Sequence, residues 1–396
     1  MNDENAPNAP HPLSTFSIVT AGIVALAVAM GIGRFAFTPL LPLMLRDGVI
    51  DAGTGADWAA ANYVGYLVGA LTASRLSRHL LPALRAALLG IAASTVLGAV
   101  IQGVFPGGAL RFVAGVFSAW VLVLGSSWCL AALARNGASR LGAWIYTGVG
   151  IGIALAGLVA WLGGLQPAWL LWLELGLIAA IGTAYAAIAL PHTSASVAMS
   201  SAAQPRAYRR GHTGLVIAYG VFGFGYIVPA TFLPALAREQ TQNPLVFGLT
   251  WPLFGLAAAV SVAIVALLLS GASRRRVWAI AQATMAVGTA LPALSQSLWS
   301  LTLSALLVGG TFMIATMAGL QMARELASSN PTPLLARMTA AFASGQIAGP
   351  VLVRLLGTHA ASGNAGITLA SAIAGLLLAA SAVWLWRAPV RTLHQP

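Results

Sequence analysis

Residues 15–44 read TFSIVTAGIVALAVAMGIGRFAFTPLLPLM, and Arg34 is the only charged residue in the stretch. A hydrocarbon core about 30 Å thick is crossed by roughly 20 apolar residues in a helix, and this run is long enough to cross with tilt to spare. Eleven further runs of similar character follow, at 57–76, 84–105, 109–133, 140–163, 168–190, 213–237, 246–270, 277–296, 299–322, 335–357 and 366–387. None alternates every second residue over about ten positions, as the strands of an outer-membrane barrel would. The reading is therefore an all-α membrane protein with twelve transmembrane helices. The first run is expected to tilt or bend near Pro39 and Pro42.

Composition agrees. The chain is 59% hydrophobic and 7% charged, whereas a soluble domain carries about 25% charged residues. A net charge of +12 would point to nucleic acid in a soluble protein, but the charges sit in the short gaps between apolar runs. With the N-terminus inside, the inner loops hold Arg75, Arg78, Arg85, Arg135, Arg140, Arg206, Arg209, Arg210, Arg274, Arg275, Arg276, Arg324, Arg337, Arg387 and Arg391, while the outer loops hold Arg46 and Arg238. This asymmetry puts both termini in the cytoplasm. The N-terminal MNDENAPNAPHPL lacks a basic region, so the first run is expected to stay as a helix rather than be cleaved as a signal peptide.

The long hydrophilic stretch at 191–212 divides the runs six and six, giving bundles at 1–190 and 213–396 joined by a cytoplasmic linker. An internal repeat supports the division. GIGRFAFTPLLP from Gly31 overlays GFGYIVPATFLP from Gly223 at a shift of 192 residues, matching Gly31 with Gly223, Gly33 with Gly225, Leu41 with Leu233 and Pro42 with Pro234. At a shift of 197, RLGAWIYTGVGIG from Arg140 overlays RMTAAFASGQIAG from Arg337, matching Gly148 with Gly345 and Gly152 with Gly349. Parallel repeats about an axis along the membrane normal are a transporter architecture.

These residues resemble the major facilitator superfamily, in particular its YbfB/YjiJ-like branch. The resemblance is carried by GIGRFAFTPLLPLM at 31–44, NYVGYLVGAL at 62–71, the Arg-x-x-x-Gly pattern of Arg111 and Gly115, and the glycine ladder Gly148, Gly150, Gly152 and Gly157. It implies two pseudo-symmetric six-helix bundles, a central cavity lined by helices 1 and 4 in the first half, and a peripheral helix 6. One departure stands out: the superfamily's loop after helix 2 carries an Asp where GALTASRLSRH has Ala73, and the matching SGASRRR also lacks one. The charge relay attributed to that loop in relatives therefore does not carry over.

An ionisable side chain at the centre of a membrane helix costs about 2.5–3.5 kcal/mol on insertion scales, so each one invites a functional reading. Four qualify: Arg34, Arg111, Glu174 and Arg354. Arg34 and Arg111, on helices 1 and 4, would make the cavity electropositive, and guanidinium forks match carboxylates and phosphates. The competing reading is that each snorkels or bonds helix-end carbonyls. Arg354 reads as interfacial. Glu174, in WLLWLELGL, reads as structural beside an interfacial belt of Trp169 and Trp172, and Asp57 as a cap or loop residue. Asn62 and Tyr66 share a helix-2 face with Gly69 and Ala73. Tyr219 and Tyr226 share a helix-7 face, and Tyr226 falls at the repeat position of Arg34. Gln346 on helix 11 needs a polar partner in lipid. Helix packing is the alternative role for all of these.

Enzymatic chemistry has no foothold. There is no phosphate loop and no HExxH; the six histidines, His11, His79, His192, His212, His359 and His394, are scattered, and Cys129 is the single cysteine. No cofactor or metal is expected. The sequence thus points to a secondary transporter of a small solute, an organic anion by its arginines, working by alternating access in a bacterial inner membrane. The substrate-binding candidates are Arg34, Arg111, Asn62, Tyr66, Tyr226 and Gln346. The expected partners are a small-molecule substrate, a coupling proton or ion, and the lipid bilayer, with no nucleic acid and a monomeric state. Efflux of neutral or hydrophobic compounds, and a non-transporting sensor on the same fold, stay open as alternatives.

Overall fold

The computed structural model describes residues 13–101, 103–191, 212–240, 248–327, 330–357 and 365–387. Most of the predicted linker, with Arg206, Arg209 and Arg210, lies outside the described residues, as do Arg391 and the side chains of Arg238 and Arg354. Among the described residues there are twelve helical elements and no strands: α1 (Thr15–Arg46), α2 (Ala52–Ala73), α3 (Leu80–Leu97), α4 (Val104–Arg135), α5 (Ser139–Leu162), α6 (Ala168–Ala189), α7 (Thr213–Gln240), α8 (Thr250–Leu268), α9 (Arg274–Leu294), α10 (Leu298–Leu326), α11 (Thr332–Gly357) and α12 (Ala365–Arg387). Ten apolar segments are long enough to cross a membrane; one of them, Gly53–Leu97, joins α2 to α3 through a 3₁₀ turn at Ser74–His79. Helix α11 is not among the ten. It carries Arg337, Thr339, Ser344 and Gln346, and its polar Thr339 and Gln346 are buried inside the protein.

Helix α1 is broken. Its middle, Ala27–Arg34, is wound as a π-helix, and a turn at Phe35–Ala36 precedes its last segment, Phe37–Arg46. Pro39 explains the position. A proline has no N–H to offer the carbonyl four residues back and its ring clashes with it. That carbonyl belongs to Phe35, which accepts from Thr38 N at 3.2 Å instead. The expected bend thus lies about one turn before the prolines, and Pro42 sits inside a helical segment.

Two end-of-helix expectations need correction. Helix α2 starts earlier than its apolar run, because Asp51 caps it by accepting from Thr54 N at 2.7 Å. Asp57 is an exposed residue within the helix and not its cap. Asp47, after α1, takes the Arg46 Nε–H at 2.7 Å on one oxygen and the Ala168 N–H at 2.7 Å on the other, fastening α1 to the start of α6. The hydrogen bond from Arg46 holds its carboxyl below the usual range.

Helices approach where glycine lets them. A Cβ on Gly31 would collide with the Gly152 backbone, and one on Gly148 with the Ile23 carbonyl, so α1 and α5 touch backbone to backbone. In the other half, a Cβ on Gly223 would strike the Phe342 carbonyl and one on Gly345 the Gly220 carbonyl, bringing α7 and α11 together likewise. These are the glycines that the sequence overlay pairs. Close approach through small residues is how membrane helices gain packing without a hydrophobic drive. Between α5 and α8 the same device appears: Gly150 against Gly255 and Ala259, and Gly157 against Pro252.

Because the atoms facing Gly31 are backbone and cannot turn aside, Gly31→Ala should lower the thermal unfolding midpoint of detergent-purified protein, with a cost of about 1–3 kcal/mol for overpacking. A Cβ on Gly310 of α10 would meet nothing within 4 Å, so Gly310→Ala should leave the midpoint unchanged or slightly raised. The two melting curves, run side by side, check the pair.

Candidate functional site

The break in α1 frees the carbonyls of Gly33 and Arg34 from their helical partners. In lipid such groups must find another donor. Arg111 of α4 provides it, donating NH1–H to Gly33 O at 3.1 Å and NH2–H to Arg34 O at 3.0 Å. Its guanidinium rests over the rings of Phe37 and Trp172, at 5.0 and 5.8 Å. Ser118, two turns along α4, reaches the Ala29 carbonyl of the π segment at 2.8 Å. Asn62 of α2 donates Nδ2–H to the Arg111 carbonyl at 2.9 Å. Arg111 and Asn62 therefore make their polar contacts among α1, α2 and α4, and they hold the π segment in place. Trp172, expected at the membrane interface, is buried against this cluster with its indole N–H on Met44 Sδ at 3.5 Å. Trp169 is half exposed.

Arg34 points the other way. Its side chain is 3% exposed and lies across the face of Tyr66, with Cζ 3.6 Å from the ring centroid. Its NH2 donates to Oε1 of Gln346, a residue with no exposed surface on α11. This hydrogen bond joins α1 to α11, helices on opposite sides of the linker. Nε and NH1 of Arg34 and Nε2 of Gln346 are buried without a hydrogen-bond partner. Ion pairs form between Arg46 and Asp47 and between Arg274 and Glu325, both near helix ends. No described carboxylate pairs with Arg34. A buried charge lacking a counter-ion is strongly unfavourable, so the Arg34 guanidinium, met by a neutral amide and no described carboxylate, is the site's main electrostatic feature.

Aromatic rings face it from α7, α8, α10 and α11. Phe312 is central: it stacks on Tyr226 at 5.0 Å and Phe254 at 5.3 Å, and meets Phe35, the neighbour of Arg34, edge-on at 6.5 Å. Phe342 lies 6.1 Å from Tyr226. Tyr63 of α2 lies beside Thr231 of α7, and Ser127 of α4 meets Thr332 of α11 at 2.8 Å. Four of the six candidates, Arg34, Tyr66, Tyr226 and Gln346, thus gather where α1 and α2 face α7 and α11. Phe312, Phe342, Phe35 and Tyr63 are additions that the sequence reading missed. Phe342 had a signal, as the one bulky side chain in TAAFASG. Phe312 had none.

The comparisons place these features among known proteins. A family model described as "Uncharacterised MFS-type transporter YbfB" matches residues 26–384. Among solved structures, the chain is similar to the human organic anion transporter MFSD10 (TETRAN), with a TM-score of 0.71, 16% sequence identity, and coverage of 95% of this chain and 100% of that one. No curated protein matches the sequence.

Arg111→Leu should lower stability, since each buried carbonyl left without a donor costs about 1–3 kcal/mol. Thermal unfolding in detergent reads this directly, and adding a ligand of the site should leave the deficit in place.

Proposed function

The chain belongs to the major facilitator superfamily, in its YbfB-type branch, and from that premise we propose that it carries a small organic anion across a bacterial inner membrane by alternating access. It is a multi-pass membrane transporter and not an enzyme. The anion reading rests on one observation: the guanidinium of Arg34, buried between helices α1, α2 and α11 with two nitrogens unpartnered and no described carboxylate beside it. An anion supplies the missing counter-charge. The human organic anion transporter shares the fold, which is compatible with this reading.

In the proposed cycle the bundles 1–190 and 213–396 rock about the Arg34–Gln346 contact, with 191–212 as the connecting linker. Tyr66 shapes one wall and Tyr226 the other. Arg111 and Asn62 are positioning residues, holding the carbonyls of Gly33 and Arg34 so that the Arg34 side chain is aimed at the opposite bundle. Alternation of the helices puts most of the described arginines at the end where α1 begins and α12 ends: Arg75, Arg78, Arg85, Arg135, Arg140, Arg274, Arg275, Arg276, Arg324, Arg337 and Arg387, with Arg46 at the opposite end. That end is the cytoplasmic one under the positive-inside rule.

Arg34→Leu separates this role from a structural one. It removes an uncompensated charge worth about 2.5–3.5 kcal/mol on insertion scales while leaving the Gln346 carbonyl without its donor, a penalty of about 1–3 kcal/mol. The melting point should therefore move little, in contrast to Arg111→Leu. Uptake of labelled organic anions into proteoliposomes should fall at least tenfold. A variant that melts far below wild type yet transports normally would assign Arg34 to the scaffold instead.

A further inference from the structure

We infer that the substrate is a monoanionic carboxylate with an aromatic body, and that Gln346 is the residue that stands in for its carboxylate while the site is empty. This deepens, and rests on, the anion reading above. The charge on the carboxylate follows from counting donors and counter-charges. Arg34 NH2 is the corner shared by both guanidinium forks, the one with Nε and the one with NH1. Gln346 Oε1 occupies that corner, leaving Nε, NH1 and its own Nε2 without acceptors. A neutral amide oxygen can fill one corner, whereas a carboxylate has the paired oxygens to take a whole fork. Once displaced, the amide of Gln346 can turn its Nε2–H groups onto the same carboxylate. The site then has acceptors where it now has orphaned donors.

One negative charge is all the site can take. Arg111, the other buried arginine among the described residues, is committed to the carbonyls of Gly33 and Arg34. A second carboxylate, or a phosphate dianion, would bury a charge against Phe35, Phe312 and Tyr226 with no described cation beside it. An ammonium group, as on an amino acid, would likewise find no described carboxylate. The walls specify the remainder. Phe312 bridges from its stack with Tyr226 and Phe254 to the edge of Phe35. Separation of α1 from α10 on opening would leave a ring-sized gap between faces that already pair by stacking.

The test uses full-length protein in detergent and five probes at matched concentration: benzoate, cyclohexanecarboxylate, phthalate, benzamide and glutamate. Benzoate should raise the melting midpoint and bind at least tenfold more tightly than each of the others, because a ligand of the native state stabilises by mass action. Gln346→Glu should raise the midpoint of the empty protein, since its carboxylate pairs with Arg34, and should abolish the benzoate shift. Gln346→Leu, which cannot pair with Arg34, should keep a weakened shift. Phthalate or glutamate binding as well as benzoate, in an Arg34-dependent way, would overturn the monoanion while leaving anion transport standing. Equal binding of cyclohexanecarboxylate would overturn the aromatic body. An unchanged benzoate shift in Gln346→Glu would overturn the role of Gln346. Benzoate binding that survives Arg34→Leu, or no shift with any probe, would remove both this inference and the reading beneath it.

Discussion

Water is absent from the interior of a bilayer, so a helix that breaks there must find donors for the carbonyls it uncovers. In this protein the break follows from Pro39, and the donors come from Arg111. The two facts belong together. A proline at that position diverts the Phe35 carbonyl to Thr38 N, and Thr38 N is then unavailable to Arg34 O. Arg111 replaces it. What results is a π segment held at fixed depth, with Arg34 at its end and its side chain turned from its own helices towards α11. The aim of one arginine is set by the backbone bonds of another.

The glycine contacts provide the rigid frame in which such an aim has meaning. Gly31 and Gly152 bring α1 and α5 together at the π segment itself, so the broken stretch is pressed against a neighbour as well as tied by Arg111 and Ser118. Gly223 and Gly345 do the same for α7 and α11. Tyr226 and Gln346 therefore stand on helices joined as closely as those that carry Arg34. Each wall of the site is firm within itself. Across the interface the described polar links at the centre are sparser, among them the Arg34–Gln346 bond and Ser127 with Thr332.

Much of this was legible before any coordinates. Hydrophobic run length gave the twelve helices, and the paired glycines gave the repeat, because both depend on spacing along one chain. Insertion cost singled out Arg34, and the need for a polar partner singled out Gln346, though nothing in the sequence joined them over 312 positions. Arg111 and Asn62 were recognised as special, but which neighbours they serve depends on the rotation of α2 and α4 about their axes. Periodicity constrains that rotation only to a face. In the structure Arg111 bonds the carbonyls at the break in α1, a contact of the kind the scaffold alternative describes, and Pro39, just past that break, lay in plain view. Trp172, near the start of α6, is packed against Arg111 and Met44, partners on other helices that its place in the sequence does not announce. The rings of Phe312 and Phe254 were invisible, since an aromatic residue in an apolar run carries no mark of which side it faces.

The energetics of the central contact bear on how the halves could part. A hydrogen bond to a charged donor contributes about 1.5–3 kcal/mol net, and the edge contact between Phe35 and Phe312 adds about 0.5–1.5 kcal/mol. These are modest amounts. In the proposed cycle, parting of the halves at this contact on the timescale of domain motions takes the Gln346 acceptor from Arg34 just as the site becomes wet. Water can solvate the guanidinium in the open state, whereas in the closed state Gln346 must do so alone and leaves two nitrogens unsatisfied. Under the proposed cycle, closure of the empty protein is opposed by the charge it buries, and an anion in the fork lifts that opposition. A cation kept without a described counter-ion at the meeting of two bundles is a poor contribution to stability, and the proposed transport gives it a different use, in which the closed state depends on what has bound.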